Sequence, residues 1–516
     1  MAAQATQSSV LTLPYISLQP STSLVIQDLL APNSTVAAED VWCSAYRVAG
    51  PRADEENAPA PTGSVHGRFR LSEGDEEGSI EVESRDGKVE VEMKSKSEFI
   101  ISCPSLRIPP TPVLLPSPAL NIPQPSSSYS TNSTSQEAPA PSLLTFPVRG
   151  GIETFALSSD GKRVVLGGRD GQARGVEIVR YEAGYGRKLG KGKETALRGH
   201  KGDLTAAEFF PSDEVVLTAS SDMSLRVFSA INGSCPRELV GHTKRVTSVS
   251  ILRSASSDGP HKGRLVLSAS LDGTVRLWEV SSASVQRTWV LNQPVSAMEV
   301  FQEGEEDQDN VLKGKYALVA HTDGSVSLVD LYSPADSSAQ PVVFKTSSTT
   351  ALESISTLSL PAGRRAVALG GRNGVVCLFL LPTLPLPDIT SDLPRRPIAE
   401  WRRTEGGSSV SSVTLSLRPS TSRPIRASAS AGIATVISVL VASSDELPYR
   451  AVVTLPSPNS LEAEEAEGEV EVEVRVVEEF VGLDCEPATG IAEDAEGRVW
   501  ISGGGGDGGL RVYERA

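Results

Sequence analysis

Short apolar or alternating runs, each next to a cluster of turn residues, recur along most of the chain. Residues 215–217 (Val-Val-Leu) and 275–278 (Val-Arg-Leu-Trp) are typical, and short runs bounded by turn residues predict β-strands. The Asp272-Gly273 pair directly before the second run predicts a tight hairpin. The longest apolar run, residues 434–442, is far shorter than the roughly 20 residues of a membrane-spanning helix. The pattern therefore predicts an all-β fold.

The hairpin-turn position recurs at a nearly regular spacing. Alignment on this position gives seven anchors, which are Asp170, Asp222, Asp272, Asp323, Asn373, Ala431 and Asp507. Successive anchors are 52, 50, 51, 50, 58 and 76 residues apart, more than the roughly 40–45 residues of a compact four-stranded repeat. We expect the excess in insertions at residues 254–262, 303–310 and 456–469. Seven such repeats predict a β-propeller of seven blades.

Two consecutive repeats carry the same polar side chains around a Gly-His pair. In each repeat the His, a Ser before the turn, the turn Asp and an aromatic residue of the third strand can hydrogen-bond one another. The predicted network residues are His200, Ser220 and Asp222 in the earlier repeat and His242, Ser270, Asp272 and Trp278 in the later one. Phe228 replaces the Trp in the earlier repeat, which removes one donor. This set is typical of WD repeats and predicts a structural role, so neither His is a good candidate for catalysis or metal binding.

The chain before these repeats divides into two parts. Its alternating apolar and polar segments are residues 41–46, 64–71 and 87–93. They predict a small β-rich N-terminal domain over residues 1–103. Pro and Ser dominate residues 104–147, which predicts a mostly disordered linker. The propeller is predicted at residues 148–516, with residues 143–148 supplying the outer strand of its last blade, because an exposed edge invites unwanted pairing.

Charge and cysteine content restrict the kinds of partner. The formal net charge of −16 argues against nucleic acid, which selects basic surfaces, and favours a basic protein partner. The five cysteines are far apart and form no Cys-x-x-Cys pair, a pattern typical of reduced thiols in the cytosol or nucleus. The sequence also shows no signal peptide and no membrane span. We expect a soluble protein of the cytoplasm and nucleus that is a monomer when free.

The sequence offers little material for catalysis. Only five histidines occur, two of them in the Gly-His pairs, and neither His-Glu-x-x-His nor Gly-x-Ser-x-Gly is present. The glycine-rich run at residues 503–509 leads into a strand, so it lacks the helix N-terminus that a phosphate loop uses. We therefore expect no enzyme activity, no catalytic residue, no cofactor and no metal.

The loops around one mouth of the central channel are the predicted contact surface. The side chains expected there are Arg169, Asp203, Ser221, Arg245, Leu271, Thr322 and Arg372. A second candidate is the segment 462–479, where Glu and Val alternate over part of the length. This alternation predicts a strand with an acidic face, which is either solvated or a docking surface for a basic partner.

Four strings of the sequence suggest a family. They are Ile-Ser-Cys-Pro at 101–104, Glu-Phe-Phe-Pro-Ser at 208–212, Ser-Ala-Ser-Leu-Asp-Gly-Thr-Val-Arg-Leu-Trp at 268–278 and Gly-Leu-Asp-Cys-Glu-Pro at 482–487. Together they resemble the proteasomal ATPase-associated factor family, which are WD-repeat chaperones of regulatory-particle assembly. The resemblance implies a seven-bladed WD40 propeller that binds the C-terminal region of a proteasome base ATPase subunit and regulates 19S regulatory-particle assembly. The candidate partner surface comprises Asp203, Glu208, Arg245, Leu271, Asp484, Glu486 and Asp507.

Two other functions stay open. A WD40 adaptor or substrate receptor of a ubiquitin ligase or another complex would share the fold. Receptors that dock on the ligase often carry Arg two residues after a Trp-Asp pair, whereas Val280-Ser281 follows Trp278-Glu279 here. A propeller enzyme would need several convergent His or carboxylate side chains on the innermost strands, and the sequence shows no such cluster.

Overall fold

The computed structural model is almost entirely β-structure, with one short α-helix and one 3₁₀ turn among the described residues. It describes residues 10–31, 35–48, 61–76, 78–116, 151–169, 171–182, 187–253, 264–291, 293–302, 312–333, 342–346, 350–360, 363–381, 396–404, 408–417, 435–445, 447–455, 472–482, 487–504 and 509–515. The α-helix has eight residues, and no described helix combines the length and hydropathy needed to cross a membrane. The predicted all-β class is confirmed.

The N-terminal part consists of eight strands, the helix and the 3₁₀ turn at Pro104–Leu106. The elements are β1 (Leu11–Thr12), β2 (Tyr15–Leu18), α1 (Thr22–Leu29), β3 (Ala38–Arg47), β4 (Gly63–Glu73), β5 (Ile80–Ser84), β6 (Glu90–Ser95), β7 (Glu98–Cys103) and β8 (Ile108–Leu114).

The first four blades of the propeller are four-stranded antiparallel sheets, each built from consecutive strands. Blade 1 contains β9 (Ile152–Leu157), β10 (Arg163–Gly168), β11 (Ala173–Glu182) and β12 (Arg187–Leu197). Blade 2 contains β13 (Leu204–Phe209), β14 (Val215–Ser220), β15 (Ser224–Ser229) and β16 (Arg237–Val240). Blade 3 contains β17 (Val246–Ile251), β18 (Leu265–Ser270), β19 (Thr274–Glu279) and β20 (Ser284–Val290). Blade 4 contains β21 (Val295–Val300), β22 (Tyr316–His321), β23 (Ser325–Asp330) and β24 (Val342–Lys345).

Three further blades complete the ring. Blade 5 contains β25 (Leu352–Ser359), β26 (Arg365–Gly371), β27 (Val376–Leu381) and β28 (Ala399–Arg402). Blade 6 contains β29 (Val410–Leu417), β30 (Thr435–Ser443), β31 (Tyr449–Leu455) and β32 (Glu473–Phe480). Blade 7 contains β33 (Ala488–Glu493), β34 (Val499–Gly503) and β35 (Leu510–Tyr513).

The ring is closed by contacts between innermost strands. Each first strand, from β9 through β33, contacts the first strand of the next blade, and β33 contacts β9. The seven-bladed propeller is therefore confirmed. Blade 7 has three strands within the described part of the chain, and the predicted closing strand at residues 143–148 lies outside it.

The hydrophobic core lies between neighbouring blades. Between blades 2 and 3, for example, Leu217 and Leu225 pack with Val246, Val266 and Trp278, and all five side chains are fully buried. Burial of apolar area stabilises by roughly 25 cal/mol per Å², and one blade alone leaves this face exposed. Each blade therefore depends on its neighbours.

The predicted turn anchors agree with the strands in four blades. Asp222, Asp272, Asp323 and Asn373 each lie between the second and third strands of a blade, and Asp170 and Asp507 lie outside the described residues. The anchor of blade 6 was wrong. Its hairpin joins β30 to β31 at residues 444–448, whereas Ala431 belongs to the sequence between β29 and β30. A connection of 418–434 precedes β30, so a nearly regular spacing placed the anchor too early.

The N-terminal part has a core of its own. One sheet has the strand order β2-β3-β4-β5, and its inner face packs through Val41 and Phe69 on Phe99 and Ile101 of β7 and on Val25 of α1. The second sheet is shared with the propeller, because blade 6 continues in the order β29-β30-β31-β32-β8-β7-β6. The N-terminal part is thus a β-rich unit joined to the outer edge of blade 6.

The predicted boundary at residue 103 was wrong. β8, which lies in the segment predicted as linker, pairs antiparallel with β7 and parallel with β32, where Val113 and Leu114 face Glu479 and Phe480. Pro and Ser composition suggested disorder, but Ile108 and Val113 are buried in the N-terminal core. Proline is tolerated in a strand where no ladder hydrogen bond is required of its nitrogen.

The first strand makes a second connection to the propeller. β1 pairs parallel with β28, the outer strand of blade 5, through Leu11 with Trp401 and Thr12 with Arg402. The Leu13 N–H also donates to the Arg402 carbonyl over 2.9 Å. The outer edges of blades 5 and 6 are therefore both covered by N-terminal strands.

The insertions predicted at residues 254–262, 303–310 and 456–469 lie outside the described residues. Part of the acidic segment 462–479 is described, and its end forms β32. The prediction of a solvated acidic face was wrong for this end. Glu478 and Glu479 are 1% exposed, because both carboxylates pair with buried arginines.

Candidate functional site

A cavity of about 790 Å³ lies at the centre of the ring and is lined by the innermost strand of every blade. Each of these strands has a β-bulge, one extra residue opposite its partner strand, near its first residue. The extra residue leaves the ladder and reorients its side chain. All seven extra residues line the cavity, and they are Glu153, Thr205, Thr247, Ser296, Glu353, Ser411 and Thr489.

Some hydroxyl groups at the bulges link neighbouring blades. Thr247 Oγ1 donates to the Val295 carbonyl of blade 4 over 3.1 Å. Thr489 Oγ1 donates to the Ile152 carbonyl of blade 1 over 2.6 Å, which connects the last blade to the first. Thr247 and Thr489 thus satisfy backbone carbonyls at the channel wall, and the five hydroxyl residues leave the wall polar but uncharged at these positions.

Two bulges carry glutamate in place of a hydroxyl residue, in blades 1 and 5. Glu353 pairs with Arg372 over 2.8 Å, and Glu153 pairs with Arg169. Each arginine directly precedes its blade's hairpin turn, so the two ion pairs occupy equivalent places. The Arg372 side chain is 70% exposed, so this pair adds little stability but places charge at the mouth of the channel.

The mouth is the end of the channel where the hairpin turns lie. Four predicted surface residues line it, which are Arg245, Leu271, Thr322 and Arg372. Asp203 and Ser221 are adjacent on the loops of blade 2, since the Ser221 N–H donates to the Asp203 carbonyl over 2.8 Å. Arg245 is exposed and has no carboxylate within ion-pair distance among the described residues. The described part of the mouth therefore carries an arginine outside any ion pair beside the paired Glu153 and Glu353.

Glu208, another predicted surface residue, lies elsewhere. Its Oε2 accepts the Ile251 N–H of blade 3 over 2.9 Å, and its Oε1 lies 3.8 Å from Arg253 Nη2. Burial raises the pKa of Glu208 to about 7, although the Ile251 N–H and Arg253 oppose this shift. Glu208 therefore connects blades 2 and 3 outside the lining of the mouth, and its assignment to the partner surface stays a prediction. Asp484, Glu486 and Asp507 lie outside the described residues.

The polar network of blade 3 uses a different serine from the predicted one. His242 Nδ1 lies 2.8 Å from Asp272 Oδ2, and His242 Nε2 lies 2.7 Å from Ser268 Oγ. Trp278 Nε1–H donates to the same Ser268 Oγ over 2.8 Å. Ser270 instead accepts the Asp272 N–H over 3.1 Å, because it ends the strand beside the turn while the imidazole reaches further down the blade.

Blade 2 repeats this correction. His200 Nδ1 lies 3.0 Å from Asp222 Oδ2, and His200 Nε2 lies 2.9 Å from Thr218 Oγ1. Ser220 donates to the Gly202 carbonyl over 2.9 Å instead. Thr218 and Ser268 both lie four residues before the turn Asp, so an alignment on the turn could have found the hydroxyl that the two repeats share.

The charges in these networks are fixed by burial and hydrogen bonding. Burial disfavours the Asp272 carboxylate, but hydrogen bonds from Thr274, His242 and the Thr243 N–H outweigh it and lower the pKa of Asp272 to about 2. Burial lowers the pKa of His242. The network therefore contains a carboxylate and a neutral imidazole near neutral pH, so the ring donates from Nδ1 and accepts the Ser268 hydroxyl at Nε2.

The channel contains no arrangement suited to metal chemistry within the described ranges. No three His, Cys, Asp or Glu side chains there are placed to share an ion. Glu153 and Glu353, the acidic bulge residues, each pair with arginine. These two glutamates could not be predicted from the sequence, because only the strand pairing identifies the bulge.

The chain matches the family described as WD domain, G-beta repeat at residues 192–229 and 233–279. It is 32% identical over 136 residues to the SIR4-interacting protein SIF2 of Saccharomyces cerevisiae, which covers 26% of this chain and 22% of SIF2. It is 42% identical over 53 residues to the 26S proteasome regulatory subunit RPN14 of the same yeast, covering 10% of this chain and 13% of RPN14.

A third relative is the guanine nucleotide-binding protein subunit beta-2 of Nicotiana tabacum. It is 31% identical over 163 residues, covering 30% of this chain and 40% of the relative. The chain thus spans less than half the length of each of these relatives. The matched residues fall in blades 1 to 3, where the two His networks lie. The chain therefore contains WD repeats of the G-beta type within a seven-bladed propeller.

Proposed function

We propose that this chain binds a protein partner at the mouth of its channel and catalyses no reaction. The observation that carries the proposal is the set of side chains that line the mouth, above all the exposed Arg245 and Arg372 and the half-buried Leu271. They project from loops and hairpins anchored in closed blades, and rigid elements of this kind position contact residues well. One apolar side chain and two arginines around the same mouth suit a segment that offers an apolar side chain and a carboxylate.

We further propose that the partner is the C-terminal region of an ATPase subunit of the proteasome base, and that binding regulates assembly of the 19S regulatory particle. The match to RPN14, a 26S proteasome regulatory subunit, supports this choice, together with the four strings that resemble the assembly chaperones. The protein would then act as a monomer in the cytoplasm and nucleus, where proteasomes assemble.

The test is a pull-down of the purified full chain against each isolated ATPase C-terminal domain at low and moderate salt. We expect selective capture of one or two domains. The variants Leu271→Asp and Arg245→Glu should weaken this capture by about tenfold or more, because both sit at the centre of the contact. Val285→Thr is the matched control, since Val285 is 37% exposed and pairs with Trp278 at the end of blade 3 opposite its hairpin turn.

A second candidate is a WD40 adaptor of another complex. The longer matches to SIF2 and to the guanine nucleotide-binding protein subunit favour a general scaffold for protein contacts. Capture of no ATPase domain by folded protein would overturn the proteasome proposal and favour the adaptor. Capture that Leu271→Asp and Arg245→Glu leave unchanged would instead keep the partner and overturn the mouth as its site.

A further inference from the structure

The outer face of the N-terminal sheet carries an exposed tryptophan. Trp42 of β3 is 57% exposed, whereas the other four tryptophans, Trp278, Trp289, Trp401 and Trp500, are at most 1% exposed. Side chains of a strand alternate between two faces. Val41, Cys43 and Ala45 of β3 are buried in the core, so this alternation directs Trp42 to the opposite face. Burial of a large aromatic side chain is favourable, so a partner that covers the Trp42 indole would gain this stabilisation.

Aromatic side chains on the same face as Trp42, further along β3 and its neighbouring strands, are already ordered. The rings of Tyr15 and Tyr46 stack with centroids 4.6 Å apart, and Tyr46 meets His66 edge to face at 5.9 Å. Ser44 Oγ lies 2.8 Å from His66 Nδ1. Because these groups constrain one another, the face loses little conformational freedom when a partner binds.

A basic group lies directly beside the indole. Arg68 of β4 is the cross-strand neighbour of Trp42 and is exposed. No carboxylate of a described residue lies within ion-pair distance of its guanidinium. The next arginine on the strand, Arg70, is already paired with Asp40 over 2.8 Å. Arg68 therefore has its donors available for a carboxylate from outside.

We propose that this face, defined by Trp42, Arg68, Tyr46 and His66 and called here the Trp42 face, is a docking surface for an acidic protein segment with one aromatic side chain. The aromatic side chain packs on the Trp42 indole, and a neighbouring carboxylate pairs with Arg68. The Trp42 face belongs to the N-terminal sheet, so the proposal is independent of the partner at the channel mouth.

Charge distinguishes this partner from a nucleic acid. A nucleic acid is bound through several cations along its backbone, and the face offers one arginine that is not in an ion pair, in a chain of net charge −16. A single Arg beside an indole is instead suited to one carboxylate next to one apolar group.

The probe is a short acidic peptide with one central phenylalanine, labelled for fluorescence anisotropy and titrated with the full chain. We expect salt-sensitive binding that Trp42→Thr and Arg68→Glu each weaken by about tenfold or more. Val290→Thr and Arg237→Glu are matched controls, because they change an exposed Val and an exposed Arg on the outer strands of blades 3 and 2. Thr retains strand propensity at position 42.

Exchanging the charges of the peptide and of residue 68 tests the ion pair more directly than the single variants do. A peptide with lysines in place of its acids should not bind the wild-type chain but should bind Arg68→Glu. The acidic peptide should also protect the exposed indole from iodide quenching, because the other tryptophans are buried. Leu271→Asp at the channel mouth should leave all of these results unchanged.

Three results would overturn the proposal. In the first, the acidic peptide binds wild type, Trp42→Thr and Arg68→Glu equally or binds none of them. In the second, a single-stranded RNA of the same net charge binds more tightly than the peptide and loses affinity in Trp42→Thr. In the third, the protein self-associates in sedimentation and Trp42→Thr abolishes this association, which would make a second copy the occupant.

Discussion

Blades 2 and 3 and blades 5 and 6 bury polar groups in different ways. In blade 3 the network of His242, Asp272 and Ser268 lies within one sheet, and its members are at most 30 residues apart. At blades 5 and 6 the Arg403 guanidinium pairs with Glu479 through two contacts of 2.8 and 3.0 Å, across 76 residues. Both side chains of this pair are 1% exposed.

The Arg403–Glu479 pair also joins the N-terminal part to the ring. The Ile16 N–H of β2 donates to Glu479 Oε1 over 3.4 Å, and the guanidinium lies 3.8 Å above the Tyr449 ring of blade 6. A similar pair in blade 6, Arg450 with Glu478 over 2.7 Å, extends to Glu493 of blade 7. A local network therefore stabilises one blade, whereas the buried ion pairs fix the N-terminal part on the ring and one blade on the next.

The largest expected effect is on the pair between units. Arg403→Met removes the bidentate guanidinium from the buried Glu479 carboxylate, which costs about 3–5 kcal/mol of unfolding free energy. Chemical denaturation followed by far-UV circular dichroism measures it. The double variant Arg403→Met with Glu479→Gln should recover part of this loss, because no uncompensated charge remains. A loss below about 1 kcal/mol in the single variant would contradict the role of the pair.

The next largest effect on stability is expected when the shared hydroxyl is removed, and it should be larger in blade 3 than in blade 2. Ser268→Ala leaves His242 Nε2 and Trp278 Nε1 without a partner, so we expect a loss of about 2–3 kcal/mol. Thr218→Val removes the partner of His200 Nε2 and a longer contact of 3.3 Å to the Arg226 carbonyl. No indole N–H loses a partner, because Phe228 replaces the Trp in blade 2, so the cost should be about half as large. The same denaturation experiment compares the two. Equal losses would show that the Trp278 hydrogen bond does not matter.

The acid dependence of stability should also trace to the local networks. The pKa of Asp272 is about 2 in the fold, below its value of about 4 in an unfolded chain. Its stabilisation is therefore complete above pH of about 4 and is lost as the pH falls toward 2, by about 2 kcal/mol. Asp272→Asn should be less stable at neutral pH and lose less on acidification. Parallel curves of unfolding free energy against pH for wild type and Asp272→Asn would contradict this role of Asp272.

The pH dependence of stability that Glu208 causes should be opposite to that of Asp272. Unlike Glu479, Glu208 has no bidentate arginine among the described residues. The pKa of Glu208 is raised to about 7, above the unfolded value of about 4.3. The stability that its proton provides is complete below pH of about 4 and is lost as the pH rises through 7. The side chain of Glu208→Gln stays neutral at every pH. The unfolding free energy of this variant relative to wild type should therefore rise by at least about 1 kcal/mol between pH 4.5 and 8. Glu238→Gln, an exposed glutamate of the same blade, is the control.

The smallest effect is expected at the exposed pair of the channel mouth. Arg372 pairs with Glu353 over 2.8 Å but is 70% exposed, so Arg372→Met should cost less than about 1 kcal/mol. The same substitution at buried Arg403 should cost several times more. Similar losses of stability for Arg372→Met and Arg403→Met in thermal denaturation would contradict the distinction between exposed and buried ion pairs.

The sequence predicted what depends on neighbouring residues. The turn residues Asp222, Asp272, Asp323 and Asn373 were found because a hairpin needs them at a fixed offset from its strands. The hairpin at 444–448 was missed, since the regular spacing fails where the preceding connection is long. The local networks were identified except for their hydroxyl, because Ser268 and Ser270 have the same side chain and lie two residues apart on one strand.

The candidate site depended more strongly on tertiary structure. Leu271 and Arg245 were placed at the mouth from their offsets to turns, and both line it. The inter-blade contact of Glu208 was not predicted, because its sequence neighbours do not reveal that Ile251 of the next blade donates to it. The bulge glutamates could not be predicted either, since a bulge is a property of two paired strands.

By itself the sequence determined the all-β class, the seven repeats and the two WD networks, because strand alternation, turn residues and hydrogen bonds within a blade act over short distances along the chain. Only the tertiary structure decided that β8 joins blade 6, that β1 joins blade 5 and that Glu479 is buried with Arg403. These contacts join residues far apart in sequence, whose mutual burial no local pattern records.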